Sequence, residues 1–212
     1  MRTLKTLASA YNVSALLAVS ALLAVPAFAD SPFTGKTGAL TFVIGDAPAK
    51  SQFVFMSDAP LEKIRGTADG VKGTVTIADA TKPEGTTGSI AVPVASMRTG
   101  NPVRDGHLQG DEWLNAKTHP NIGFTIEKLE GIRVAGTKLN ATATGPFSLN
   151  GVSKRITIPL EATFNAEKNA IKITSKFTVA LKDYNVKGKS GIVGSKVGET
   201  IAVEATMYGI AR

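Results

Sequence analysis

Cysteine is absent from the 212-residue chain. No disulfide can form, so packing and backbone hydrogen bonds must hold the fold together. Metal sites built on thiolates are excluded for the same reason. Only two histidines are present, His107 and His119, which excludes a three-histidine zinc site. A metal-dependent enzyme would need a mixed ligand set such as Asp105, His107 and His119, and this alternative stays open at the level of the sequence.

Long apolar runs and aromatic side chains are also scarce. Aromatic residues make up 6% of the chain and do not recur at strand ends as the aromatic girdles of a membrane barrel do. The longest apolar run, residues 15–25, falls well short of the roughly twenty residues that a membrane-spanning helix needs. It follows Arg2 and Lys5 and precedes the Ala-Phe-Ala sequence at 27–29, the order of a secretory signal peptide. We therefore expect cleavage of residues 1–29 and a single periplasmic domain over residues 30–212.

The charge is positive but dispersed. The chain carries a formal net charge of +7, and its lysines are scattered along candidate strands and turns. Without a concentrated basic stripe, nucleic acid is not an expected partner. A basic surface outside the cytoplasm suits transient contact with anionic lipid head groups, although net charge can also simply maintain solubility.

Alternation of apolar and polar residues dominates the sequence after residue 40. In the stretch 170–182, Ile171, Ile173 and Val179 share one face while lysines and threonines occupy the other. The Asn150-Gly151 pair is typical of a tight type I′ hairpin, which indicates antiparallel strands. Because an open sheet leaves unprotected edges, we expect a closed barrel of eight or nine strands, with a sandwich as the second choice. The candidate strands are 40–44, 51–56, 71–78, 89–95, 122–128, 138–149, 156–164, 170–182 and 200–207.

One stretch, residues 104–124, interrupts the alternation. Asp111 and Glu112 can open a helix that Pro120 stops, so we expect a short helical insertion around 105–118. Arg104 and Asp105 are expected to act as a structural clasp, fixing this insertion through hydrogen bonds and ion pairs. No Gly-x-Ser-x-Gly motif is present to hold a catalytic serine, and no catalytic residue is predicted.

Three stretches of the sequence form a recognisable series: SMRTGNPVRDGHLQGDEWLNAKTHPNIGFT at 96–125, GPFSLNGVSKRITIPLEATF at 145–164, and the closing segment 177–207. In this order they resemble the YceI-like, lipocalin-like polyisoprenoid-binding proteins. The resemblance implies an all-β, extended eight-stranded antiparallel barrel that holds an isoprenoid, such as a polyprenyl phosphate or a quinone tail, in an apolar tunnel. It also implies a periplasmic binding protein connected with envelope stress, and not an enzyme.

Candidate ligand-binding residues follow from placing the alternation on such a barrel, which is just wide enough for one ligand. For the polar head group, we expect Arg98, Arg104 and His107 to supply donors at the tunnel rim. No cofactor is expected apart from a bound isoprenoid lipid or another long-chain amphiphile. Homodimer formation and a surface-interaction role without a ligand both stay open. The predicted tunnel lining comprises Phe42, Phe53, Phe55, Trp113, Ile122, Phe124, Phe147, Phe164 and Phe177.

Overall fold

The computed structural model describes residues 31–33 and 35–212. The predicted signal peptide, residues 1–29, lies outside these residues. No helix in the described part of the chain is both long and apolar enough to cross a membrane. Within the same residues, eleven strand segments form one antiparallel sheet. The segments are Leu40–Ile44 (β1), Gln52–Asp58 (β2), Lys63–Ala68 (β3), Lys72–Asp79 (β4), Lys82–Pro93 (β5), Asn121–Ile126 (β6), Lys128–Ala135 (β7), Lys138–Leu149 (β8), Val152–Asn165 (β9), Ala170–Ala180 (β10) and Thr200–Ala211 (β11).

The eleven segments occupy eight positions around a closed barrel. β1 and β2 both pair with β11, so together they fill one position. β4 and β3 fill the next, because β4 pairs with β1 and β3 pairs with β2. β6 and β7 likewise share β8 as a partner. The pairing of β1 with β11 closes the ring, which confirms the predicted eight-stranded antiparallel barrel.

The alternation that predicted the strands sets the inside and outside of the barrel. On β10, Ile171 and Ile173 are buried in the interior, whereas Lys172 between them is exposed. The hairpin between β8 and β9 turns at Asn150 and Gly151, whose φ angles of 49° and 75° are the left-handed values of a type I′ turn. The barrel interior is therefore the apolar face that the sequence indicated.

The helix lies earlier in the chain than predicted. It runs from Pro102 to Gln109 (α1), while residues 111–118 form turns. The side chain of Asn101 accepts hydrogen bonds from the Val103 and Arg104 amides, at 3.0 and 3.2 Å, and caps the first turn. Pro102 occupies the first turn, where its missing N–H costs no hydrogen bond. The prediction that Asp111 and Glu112 open the helix is wrong, because Asn101 and Pro102 provide the stronger start signal.

Candidate ligand-binding cavity

A cavity of about 560 Å³ occupies the interior of the barrel. Small-molecule sites in proteins typically enclose between about 300 and 1,000 Å³. Most of the wall consists of aliphatic and aromatic side chains, and the ionisable side chains on it are Glu62, Arg104, His107, Lys189 and Lys196. All five come from the β2–β3 turn, from α1 or from the segment that connects β10 to β11. The cavity is therefore apolar along its length and charged at one end, which we call the mouth.

Aromatic rings pack together at the other end. Phe33, which precedes β1, lies with its ring centroid 5.3 Å from that of Phe164 and 6.0 Å from that of Phe42. Phe33 is on the cavity wall, but Phe42 and Phe164 are not. The structure thus places these two predicted lining residues in an aromatic cluster that closes the base of the barrel.

The other predicted lining residues do reach the cavity wall. Phe124 on β6 is the register partner of Phe147 on β8, and Phe177 lies on β10. The ring centroids of Phe147 and Phe177 are 6.0 Å apart in an edge-to-face arrangement. The predicted residues found on the wall are Phe53, Phe55, Trp113, Ile122, Phe124, Phe147 and Phe177.

Small side chains explain why the interior is not filled. Ala143 on β8, Ala162 on β9 and Ala205 on β11 all face the cavity. At each of these inward positions a leucine or isoleucine would extend into the space that the alanine leaves open. Our sequence prediction did not include them, although inward alanines among larger residues are the signal that could have identified a hollow barrel.

Arg104 and Glu62 form an ion pair at the mouth. Arg104 Nη1 donates to Glu62 Oε1 at 2.5 Å, and both side chains are partly exposed. This contact joins α1 to the turn between β2 and β3. Arg104 Nε is buried and has no hydrogen-bond partner among the described residues. A buried donor without a partner costs about 1–3 kcal/mol, so an acceptor supplied by a ligand would be favourable here.

Asp105 connects α1 to Thr99, which precedes the helix. Its Oδ1 accepts hydrogen bonds from the Thr99 amide and from the Thr99 hydroxyl, both at 2.7 Å. Both bonds lower the pKa of Asp105 below its usual range, and the bond from the hydroxyl has the larger effect. Arg104 and Asp105 therefore contact different partners, Glu62 and Thr99, and each anchors one side of α1.

Arg98 and the histidines have separate surroundings. Arg98 is exposed, and its Nη1 donates to the carbonyls of Ala95 and Met97, so it is not part of the mouth. His107 lies on the cavity wall, whereas the imidazole of His119 packs against Gly151. No three His, Cys, Asp or Glu side chains of residues 31–33 and 35–212 lie close enough to share a metal ion. The structure does not bring Asp105, His107 and His119 together.

The segment from 185 to 199 completes the mouth. The Gly188 amide donates to the Glu112 carbonyl at 3.0 Å, and the Trp113 ring lies against Gly188. At its other end, the Ser195 carbonyl accepts from the Leu61 amide at 3.0 Å. These contacts place the segment beside α1 and the β2–β3 turn, so that all three surround the opening of the cavity.

The barrel wall is interrupted between β9 and β10. The two strands pair from Ala170 and Asn165 as far as Ser175 and Leu160, and no pair follows. The Ser175 hydroxyl donates to the Pro159 carbonyl at 2.6 Å where the pairing ends. Beyond this point β10 pairs with β11 alone, so one edge of residues 176–180 has no neighbouring strand among the described residues.

Comparison with known proteins now identifies the family. The model of the YceI-like domain matches residues 46–208, which include every strand from β2 to β10 and most of β11. The chain belongs to the YceI-like family. Its matched region contains the whole mouth and all of the cavity wall except Phe33.

Several YceI-like relatives share this region. A UPF0312 protein of Pseudomonas syringae pv. tomato is 28% identical over 155 residues, covering 70% of this chain and 74% of the relative. Protein YceI of Escherichia coli is 27% identical over 145 residues, covering 66% and 72%. These identities extend over most of the barrel.

Solved structures show the same YceI-like fold. BcnA of Burkholderia cenocepacia matches with a TM-score of 0.63 and 18% identity, over 74% of this chain and 95% of BcnA. A polyisoprenoid binding domain from Saccharophagus degradans, implicated in plant cell wall breakdown, matches with a TM-score of 0.57 and 19% identity. That match covers 84% of this chain and all of the domain. At these identities the likeness concerns the fold.

Proposed function

We propose that this protein binds an isoprenoid or a related long-chain amphiphile, such as a polyprenyl phosphate or a quinone, with its tail in the barrel cavity. The observation that carries the proposal is the polarity of the cavity, which is apolar along its length and charged only at the mouth. An amphiphile has the same distribution, with a hydrocarbon tail and one polar end. The fold shared with a polyisoprenoid binding domain supports this ligand class.

The mouth is suited to a head group that accepts hydrogen bonds. Arg104 Nε is a buried donor without a partner among the described residues, and Arg104 lies on the cavity wall beside His107. A phosphate or carbonyl oxygen would supply the missing acceptor. Lys189 and Lys196 add positive charge at the same end, which favours an anionic head group. Of the three rim residues predicted from the sequence, we retain Arg104 and His107 for this role.

Tail and head make different contributions to the transfer of such a ligand. Burying hydrocarbon gains about 0.8 kcal/mol per CH₂ relative to water. A ligand that leaves a bilayer already has that gain, so the tail changes the net free energy of extraction little. The contacts of the head group at Arg104 therefore decide between extraction and release.

We further propose that the protein is exported by a cleaved signal peptide and acts in the periplasm, in carriage, storage or protection of the envelope under stress. The residues at 1–29 have the signal-peptide pattern described above. Binding, not catalysis, is the activity we propose, because the candidate metal ligands are apart and Asp105 is already held by Thr99. Homodimer formation does not enter the proposal.

The lone tryptophan provides a direct binding assay. Trp113 lies on the cavity wall, so a ligand that enters should change its fluorescence. We would titrate delipidated protein with geranylgeranyl phosphate and with geranylgeraniol, which share a tail and differ in the head group. Saturable binding of both, with tighter binding of the phosphate, is expected. Absence of any saturable signal, confirmed by calorimetry, would contradict the proposal.

Substitution of Arg104 tests the contribution of the head group. Arg104→Gln should weaken binding of the phosphate by about ten- to a hundredfold, since hydrogen bonds to charged groups are worth about 1.5–3 kcal/mol. Binding of the alcohol should change much less. Arg155→Gln is the matched control, because Arg155 is an exposed arginine that pairs with Glu127 away from the cavity. Equal losses for phosphate and alcohol would assign Arg104 a purely structural role.

A further inference from the structure

Two exposed apolar side chains stand beside the cavity mouth. Leu61 is 71% exposed and Val103 is 68% exposed, and they are the two large hydrophobic residues that reach such exposure within the described part of the chain. Leu61 is in the β2–β3 turn next to Glu62, and Val103 is in α1 next to Arg104. The Arg104–Glu62 ion pair joins the β2–β3 turn to α1, so the elements that carry the two exposed side chains meet at the opening.

Three lysines lie on the neighbouring segment. Lys187, Lys189 and Lys196 are exposed, and none of them forms an ion pair with another described residue. Lys189 and Lys196 lie on the wall of the mouth itself. The hydrogen bond from the Leu61 amide to the Ser195 carbonyl joins this basic segment to the β2–β3 turn.

Acidic groups around the mouth offset part of this charge, but within the β2–β3 turn, α1 and residues 187–197 the three lysines face one acidic side chain without an ion pair, Asp105. Glu62 is neutralised by Arg104, and Asp183 by Lys154 at 2.9 Å. Asp111 and Glu112 are exposed in the turn after α1, and Glu199, exposed just before β11, has its carboxylate near Gly194, so these three groups lower the positive charge at this end of the barrel. The apolar side chains and the free lysines thus occupy the arc formed by the β2–β3 turn, α1 and residues 187–197, which we call the docking arc.

We infer that the docking arc binds the surface of an anionic lipid bilayer, with Leu61 and Val103 inserted and the lysines against the head groups. Apolar insertion combined with basic side chains is the arrangement by which peripheral proteins bind membranes. Binding in this orientation turns the cavity mouth toward the lipid from which an amphiphile is taken. The inference rests on the proposed function for its purpose, but membrane binding itself is measured independently of any cavity ligand.

Vesicle flotation tests the inference. The protein is used only after mass spectrometry shows that residues 1–29 are absent, because their apolar run would itself bind lipid. Wild-type protein should float with vesicles containing phosphatidylglycerol and much less with vesicles of phosphatidylcholine alone. Binding should be largely lost in about 1 M NaCl, where electrostatic screening acts within about 3 Å. Failure to bind the anionic vesicles at low salt would overturn the inference.

A variant that alters the docking arc without altering the cavity wall separates the two proposals. Leu61 and Lys187 are not on the wall, so the double variant Leu61→Ser, Lys187→Gln should keep its affinity for geranylgeranyl phosphate in solution. Its vesicle affinity should fall roughly fiftyfold, from about tenfold for the apolar side chain and about fivefold for the lysine. The control is Lys82→Gln, Lys168→Gln, which removes two exposed lysines at the base of the barrel, one at the start of β5 and one in the turn between β9 and β10.

Each outcome of this comparison has one meaning. Selective loss of vesicle binding in the arc variant, with normal binding in the control, supports the docking arc. Equal vesicle binding by wild type, arc variant and control overturns it, even if all three bind the ligand in solution. If wild-type protein does not bind geranylgeranyl phosphate in solution, the proposed function is contradicted, and the vesicle result still tests the docking arc. A thermal melt of every variant shows that folding is unchanged.

Discussion

Enlarging one inward alanine tests whether the barrel is hollow. Ala162 faces the cavity, and its register partners on the adjacent strands are Leu139 and Ile173. Its surface is 9% accessible even though the barrel encloses it. Ala162→Leu adds three carbons, worth up to about 2.4 kcal/mol of burial at roughly 0.8 kcal/mol per CH₂. The leucine side chain loses about 0.5–1 kcal/mol of rotamer freedom. We therefore expect the variant to be more stable than wild type by about 1.5 kcal/mol, and to bind ligand more weakly because it occupies ligand space.

The assay is equilibrium unfolding of delipidated protein in urea, accompanied by a thermal melt. For a chain of this size, 1 kcal/mol corresponds to about 2–4 °C in Tm, so a rise of roughly 3–6 °C is expected. Ala80→Leu is the comparison, because Ala80 is fully buried and does not face the cavity. It should cost about 1–3 kcal/mol through overpacking. If Ala162→Leu destabilised the protein as much as Ala80→Leu does, the interior would be filled and the reasoning refuted.

Four further results are expected. The bonds from Thr99 to the Asp105 carboxylate stabilise the fold fully above pH ~3.9, and this stabilisation is lost as the pH falls through the lowered pKa of Asp105. The difference in unfolding free energy between wild type and Thr99→Val should therefore shrink as the pH is lowered, which acid unfolding curves measure. Phe177→Leu enlarges the cavity and should shift the preference in a titration series toward longer prenyl chains. In hydrogen exchange, amides of residues 176–180 that point toward β9 should exchange faster than those of 171–175, and ligand should slow them. Gly66→Ala should cost about 1–3 kcal/mol in urea unfolding, because its Cβ would lie 2.1 Å from the Phe55 ring.

Most of the barrel could be predicted because one face of each long strand is apolar and buried. The bounds of β1 and β8 are the predicted ones, and the polar-out pattern of β10 identified the interior. β3 was missed, since Gly66 interrupts the apolar alternation of a short strand and is required by the close approach of Phe55. β7 was missed because Glu130-Gly131 has the composition of a turn. Gly131 instead adopts a φ of 61° at an irregularity inside the strand.

The site was less predictable than the fold because its geometry depends on contacts distant in sequence. Arg104 was identified as a candidate, but its partner Glu62 lies 42 residues away and has no local signal. Phe42 and Phe164 follow the same alternation as the lining residues. They do not line the cavity because Phe33 packs against both of them at the base. Lys189 and Lys196 lie in a stretch rich in glycine and lysine that has no apolar alternation, and their place at the mouth follows from the bond between Leu61 and Ser195.

Native mass spectrometry tests the central claim, that the cavity holds the tail of an amphiphile, most directly. The protein would be purified without detergent from the cells in which it naturally occurs and measured before and after organic extraction. The account predicts a lipid-sized mass increment that extraction removes, and a smaller bound fraction in Ala162→Leu prepared in parallel. Protein of the unliganded mass in every preparation that also fails to take up added geranylgeranyl phosphate would contradict it.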